Sequence, residues 1–573
     1  MPAVLLPLVL SAALSWLDPA AVRPGQRGVC VTEWTGGERI EIPVEVMGVL
    51  DPTGPDRRTV LVRLDDPRFA GAGVAAGMSG SPVYVDGKLL GAAALGWTWA
   101  RDPLAGVTPF ATMHAIPLTG APAAVPGPTL ARLAATATSG SFEPWAALPQ
   151  LPARSDLGPQ VVSVSGLPAP TGFAAELLTH MGLQAAPGGT APGLAGVPEP
   201  GEMLAVELVW GDALLAAGGT VTAREDDRVW AFGHPMYGLG AVELPVARAR
   251  VLAVQGSYQV PFKVFAAGQP FGTMVADRAA GVVALVGRAP SGTPVTVRVR
   301  DAVGDATWRF RIAGMPILQP LLVAYLASAC LTARGASAGE ASVAMALTVH
   351  TGDGRDVTVR QATRGPDALA RLAVFAGATV SFLANSSFAH PSVSAVELVF
   401  DRKESPEGAS LVEALPARTT VAPGQLLEVE VRVQPQERPV ERRRLAIRVP
   451  AGAVPGPLDL VVADGASWTE YRLRAEATAP ADYAGQLEQL GRLESSTTLV
   501  VALEARERGA ALPGASQPGL PPSWSATLAA GFGGRDATRL TTVVLAAERA
   551  DGPVPLEGIL RVPLTVRTGM EAP

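Results

Sequence analysis

Cysteine and histidine are scarce in this chain of 573 residues: two cysteines, Cys30 and Cys330, and five histidines, His114, His180, His234, His350 and His390. Neither cysteine stands in a metal-ligand spacing and the histidines are scattered, so no metal and no cofactor is expected. The two thiols read as isolated buried groups rather than a disulfide. Charge is thin as well, at 17% of residues, with a net charge of −6 and no long basic run, which argues against nucleic acid as a partner. No apolar run reaches the ~20 residues needed to span a bilayer; Leu321 to Leu331 is too short and reads as a buried helix. The N-terminus through Leu17 has the length of a signal-peptide apolar region, without a basic start and with Asp18-Pro19-Ala20-Ala21 as a passable cleavage site. Residues 1–20 are therefore read as a signal peptide or N-terminal anchor. The chain is expected to be exported to the periplasm, the outer face of the envelope or the exterior, touching a membrane at most through that end.

What is abundant points to strands. Hydrophobic residues make up 48% of the chain, and 62 glycines and 52 prolines make turns frequent. Ile40, Ile42, Val44 and Val46 alternate with Glu41, Pro43 and Glu45, the period of a half-buried strand. Asp51 to Pro55 reads as a turn, Thr59 to Leu64 as a strand, and Asp86-Gly87 between apolar runs as a hairpin. Residues 121–200 are rich in alanine and proline and read as an extended connector with some local structure. Residues 201–316 return to strands, among them Val229 to Phe232 and Val295 to Val299. A helix and β extension follows over 317–394, with strands flanking Gly352-Asp353-Gly354. In residues 395–480, Leu427, Val429, Val431 and Val433 alternate with charged neighbours, the pattern of an immunoglobulin-like β-sandwich. Residues 481–573 are a further β-rich region. The basic triplet Arg442-Arg443-Arg444 reads as a solvated strand edge.

The chemistry concentrates in Gly77-Met78-Ser79-Gly80-Ser81-Pro82. A nucleophilic serine must present its hydroxyl at a sharp turn, with backbone N–H groups aimed where the oxyanion develops. Flanking glycines allow such a turn. The Gly-x-Ser-Gly-x-Pro frame is that of chymotrypsin-like peptidases, and in their geometry the N–H groups of Gly77 and Ser79 form the oxyanion hole. Alone, these six residues serve equally well as a glycine- and serine-rich turn without chemistry.

Gly77 to Gly91, followed by Asp102 to Gly106 and Pro109, closely resembles the SpoIVB-type serine peptidases, serine peptidase family 55. The resemblance takes in Asp66-Pro67-Arg68 and resumes at Ala231-Phe232-Gly233-His234-Pro235. It continues through Phe262-Lys263, Gly272-Thr273 and Asp277-Arg278 to Gly287, covering roughly 40% of the chain. It implies a mainly β protein with a chymotrypsin-like double β-barrel, its serine half at 21–120 and its histidine half at 201–316. That order is reversed relative to the sporulation peptidases, and no PDZ pattern is present. A circular permutation of the half-barrels accounts for both features, and triads are defined by geometry rather than chain order.

Histidine is the side chain whose pKa suits a general base. His234 leaves a strand for a glycine- and proline-containing turn and is the candidate base, with His114 as the fallback. The resemblance implies Asp66 as the orienting acid; Asp277 is the alternative, at a separation from His234 typical of such barrels, and a Ser–His dyad without an acid is the third arrangement. The local reading of Asp66 is an Asp-Pro turn, and that of Asp277 an ion pair with Arg278. Two functions follow. In one, the chain is an exported serine endopeptidase acting on a protein or peptide, its C-terminal β-domains recruiting substrate or a cell-envelope partner. In the other, it is a degenerate peptidase-like scaffold of the envelope.

Overall fold

A computed structural model describes residues 14–50, 58–69, 73–97, 99–138, 142–152, 160–335, 339–436, 438–476, 480–506, 509–512, 515–529 and 538–567. The turn read at Asp51 to Pro55 and the first 13 residues lie outside the described residues. The protein is mainly β.

Six strands, β1 (Arg27–Glu33), β2 (Arg39–Leu50), β3 (Thr59–Leu64), β4 (Ser81–Val85), β5 (Lys88–Leu95) and β6 (Leu104–Pro109), close into a barrel in the order β1-β2-β3-β6-β5-β4. The alternation in β2 does what its period demands. Ile40, Ile42, Val44 and Val46 enter the barrel core with Cys30, Val62, Val83 and Val107, while the glutamates between them face outward. Asp86 and Gly87 join β4 to β5 with φ values of 50° and 71°, the left-handed pair that matches the twist of a tight hairpin. The stretch before β1 is seated on this barrel. Trp16 pairs with Leu89 and packs edge-on against Phe110 at 5.5 Å.

The larger sheet has 14 strands. They are β7 (Gln160–Ser165), β8 (Leu183–Pro187), β9 (Gly189–Thr190), β10 (Met203–Gly211), β11 (Leu214–Glu225), β12 (Arg228–Ala231), β13 (Gly240–Gln255), β14 (Phe262–Arg278), β15 (Gly281–Val286), β16 (Gly292–Asp301), β17 (Gly304–Ala313), β18 (Ala341–Thr351), β19 (Asp356–Gly365) and β20 (Val393–Lys403). Within it β10 pairs with β13, β13 with β14, β14 with β15, β15 with β12, β12 with β11, and β11 again with β10. These six strands form a second ring. The segment read as an extended connector joins it: β7 pairs with β11, and β8 lies parallel to β7. The alanine and proline content hid this because β7 is a single short apolar run among turn-forming residues. On the far side of β10 the sheet continues through β17, β16, β20, β18 and β19. Helices Gln319–Thr332 and Ala368–Ala384 pack there, the first buried from Gln319 to Leu331. A helix apolar on every side must be enclosed, as the sequence suggested for Leu321 to Leu331. Among the described residues no helix is long and apolar enough to cross a membrane.

The C-terminal part is two sheets sharing one core. Leu427, Val429, Val431 and Val433 of strand Leu426–Pro435 meet Leu460, Val462, Val501 and Leu564 of the opposite sheet. Its limits differ from those expected. Val393–Lys403 pairs in parallel with β16 in the large sheet, while Ile559–Val566 belongs to the sandwich sheets. Arg442 to Arg444 lie on Glu441–Arg448, an edge strand, where charge opposes pairing with another chain. Cys30 and Cys330 are both buried and free.

One buried carboxylate stands apart. Glu207 of β10 is 4% exposed, its Oε2 has no hydrogen-bond partner, and burial pushes its pKa up to about 7. With the folded value above the unfolded one, the contribution of Glu207 to stability is most favourable below pH ~4.5 and is lost as pH rises through about 7. Glu207→Gln removes that dependence. Denaturant unfolding should show the variant gaining on wild type by about 2–3 kcal/mol between pH 5 and pH 8; parallel pH profiles would contradict this origin.

Candidate active site

Ser79 and His234 line one cleft where the first barrel meets the second ring. Val74 to Gly77 and Ala93 to Trp97 form one wall; Gln160, Gln184, Ser257, Gln259 and Val260 contribute to the other. Backbone pairing across the junction holds the walls together. Ala76 N–H donates to Pro261 O at 2.7 Å and Lys263 N–H to Ala76 O at 3.0 Å. Thr220 N–H donates to Ser79 O at 2.8 Å, and the hydroxyls of Thr220 and Thr222 donate to Gly77 O and Gly80 O.

Three N–H groups of the turn are bonded to backbone carbonyls. Met78 N–H donates to Ala75 O, Gly80 N–H to Ala93 O and Ser81 N–H to Met78 O. The N–H groups of Gly77 and Ser79 have no acceptor among the described residues. These are the two donors expected to form an oxyanion hole.

His234 arrives by a sharp bend. Ala231 ends β12, and Phe232 and Gly233 both have positive φ, 69° and 71°, with Gly233 N–H donating to Ala231 O at 2.8 Å. A γ-turn centred on a bulky left-handed residue is strained, and such strain concentrates at functional sites. Thr108 of β6 ties the bend to the first barrel by donating to Gly233 O at 2.6 Å. His234 Nδ1 lies 2.8 Å from Pro235 O. A carbonyl only accepts, so Nδ1 carries the proton, and in the neutral ring Nε2 holds the lone pair.

Neither expected acid bonds to this ring. Asp66 is corrected from orienting acid to a local partner of Arg68, which donates to it from Nε at 2.9 Å and Nη2 at 2.6 Å. That ion pair, with the turn Pro67–Phe69, holds its pKa below the usual carboxylate range. Asp277, the alternative, is not an ion pair either. Fully buried, it accepts N–H bonds from Met236, Tyr237 and Gly238 at 2.8 Å and from Leu239 at 3.3 Å. It pins the loop that follows His234, and burial raises its pKa against the pull of those four donors. The fallback His114 stacks on Trp230 at 5.4 Å, outside the cleft. His180 stacks on Trp145, His350 pairs with Asp356, and His390 packs near Tyr483.

A polar cluster beneath the turn was not expected. Lys263 is 1% exposed; its ammonium donates to Thr32 Oγ1 at 2.8 Å and to Thr220 Oγ1 at 3.4 Å. Ser81 Oγ lies 2.8 Å from Thr32 Oγ1 and 2.6 Å from Met78 O. Burial pushes Lys263 down to about 7, against the pull of Glu33 and Cys30. The visible signal was a lone lysine in the apolar run Phe262 to Ala267.

Compared with known proteins, the chain matches no family model, no curated protein and no solved structure.

Proposed function

We propose that the protein is an exported serine endopeptidase of the SpoIVB type, built on a permuted chymotrypsin-like double barrel and working through Ser79 as nucleophile and His234 as general base. The observation that carries this reading is the meeting of Ser79 and His234, remote in sequence, in one cleft between two six-stranded rings. Ser79 Oγ attacks a peptide carbonyl while His234 Nε2 takes its proton, and the carbonyl oxygen becomes an anion facing the N–H groups of Gly77 and Ser79. Collapse of the tetrahedral species breaks the C–N bond, and the imidazolium gives the proton to the leaving amine. Water, deprotonated by the same imidazole, then hydrolyses the acyl-enzyme and restores the serine hydroxyl. The Pro235 carbonyl holds the Nδ1–H tautomer of His234, which leaves Nε2 to take the proton. The immunoglobulin-like sandwich is the surface for substrate or envelope recruitment.

The test is covalent labelling by a fluorophosphonate. Wild type should be labelled on Ser79; Ser79→Ala should give no label, and His234→Ala a rate lower by about 10³-fold or more. Folded wild-type protein that takes up no label on Ser79 would reduce the barrels to a scaffold.

A further inference from the structure

The two N–H groups without acceptors point where they do because of the carbonyls opposite them. In a trans peptide the C=O of one residue and the N–H of the next are antiparallel within one plane. Gly77 N–H therefore points away from Ala76 O, which receives the main-chain N–H of Lys263 at 3.0 Å. Ser79 N–H points away from Met78 O, which receives Ser81 N–H at 2.9 Å and has Ser81 Oγ at 2.6 Å. Ser81 Oγ in turn touches Thr32 Oγ1, which receives the Lys263 ammonium. The same ammonium reaches Thr220 Oγ1, whose proton goes to Gly77 O at 2.8 Å. The methylenes of Lys263 pass directly under Gly77: a Cβ built there would lie 3.1–3.4 Å from Cδ, Cβ and Cγ of the lysine.

We propose that Lys263 is the positioning residue of the oxyanion donors, its main chain setting the Ala76–Gly77 peptide plane and its ammonium, through Thr32, Ser81 and Thr220, setting the planes on either side of Met78. This rests on the peptidase reading of Ser79. An uncompensated role in folding does not explain the arrangement. A buried ammonium held by hydroxyls rather than a carboxylate is a poor source of stability, and a methionine would fill the same space.

The two readings separate in the kinetics of fluorophosphonate inactivation, resolved into the affinity of the initial complex and the rate of the covalent step. The phosphonyl oxygen of the adduct occupies the place of the oxyanion as fluoride departs. Lys263→Met is expected to slow the covalent step about 10- to 100-fold, with initial affinity unchanged and a thermal midpoint equal to or above that of wild type. Thr32→Val, which keeps the lysine but breaks the relay, should slow the same step, and Thr32→Ser should restore it. If Lys263→Met fails to fold, the Thr32 pair decides the matter. Covalent rates in Lys263→Met and Thr32→Val equal to wild type overturn the assignment and leave the peptidase reading intact. So does a loss of rate that only follows a loss of folded protein. Absence of Ser79-dependent labelling in wild type overturns both.

Discussion

Replacement of Asp277 by alanine is expected to lower the unfolding free energy by at least about 3 kcal/mol and to abolish labelling of Ser79 in whatever protein remains folded. The carboxylate accepts from a run of four backbone donors, Met236 to Leu239. Each buried donor left without an acceptor costs about 1–3 kcal/mol; entering water offsets part of that, so the sum is not additive. The loop begins one residue after Pro235, whose carbonyl fixes the tautomer of His234. Release of the loop thus frees His234 as well as destabilising the barrel. Asp277→Asn should be milder. Three of the four bonds go to Oδ2, and an amide oxygen placed there keeps them, losing only the bond from Met236. Denaturant unfolding and labelling of the three proteins check the order wild type, asparagine, alanine. A wild-type midpoint for Asp277→Ala would show that the loop is held by packing.

The strands of the first barrel were readable because one-sided burial leaves a period of two, as in β2, and because Asp86-Gly87 admits the backbone of one particular hairpin. The partition of the second half was not readable. Val393–Lys403 and Leu426–Pro435 alternate alike, with burial patterns that repeat every second residue, and alternation says nothing about which sheet a strand joins. Among site residues, Ser79 and His234 announce themselves through local backbone requirements, a glycine-flanked turn and a strand running into a glycine and a proline. The bond from His234 Nδ1 to the Pro235 carbonyl could not be found this way, because a main-chain carbonyl is a group that every residue has. Lys263 was passed over for the opposite reason. Its partners Thr32 and Thr220, and Ser81 bonded to Thr32 beyond them, come from three distant segments, and only the folded junction brings them together.

The same junction makes Gly80 the least replaceable position in the turn. Gly80→Ala is expected to cost about 3 kcal/mol or more and to remove labelling of Ser79. Its φ is +99°, a conformation that an L side chain adopts only with strain. A Cβ there would also lie 1.9 Å from Thr220 O and 2.6 Å from Phe232 N. Both are backbone atoms of the second ring, one in β11 and one in the bend that delivers His234, so neither can move without opening the interface that joins Ser79 to His234. Two neighbours provide the comparison. Gly77→Ala has a similar φ of +92°, but its Cβ meets side-chain atoms of Lys263 at 3.1–3.4 Å, a milder overlap than the backbone contact at 1.9 Å. Gly87→Ala, at φ +71°, meets nothing within 4 Å and should show only the conformational cost of about 1 kcal/mol. The expected order of destabilisation is therefore Gly80, then Gly77, then Gly87, with labelling lost in the first, slowed in the second and unchanged in the third. Equal behaviour of Gly80→Ala and Gly87→Ala would mean that the turn does not dock against Thr220 and Phe232, and the cleft built on that contact would have to be redrawn.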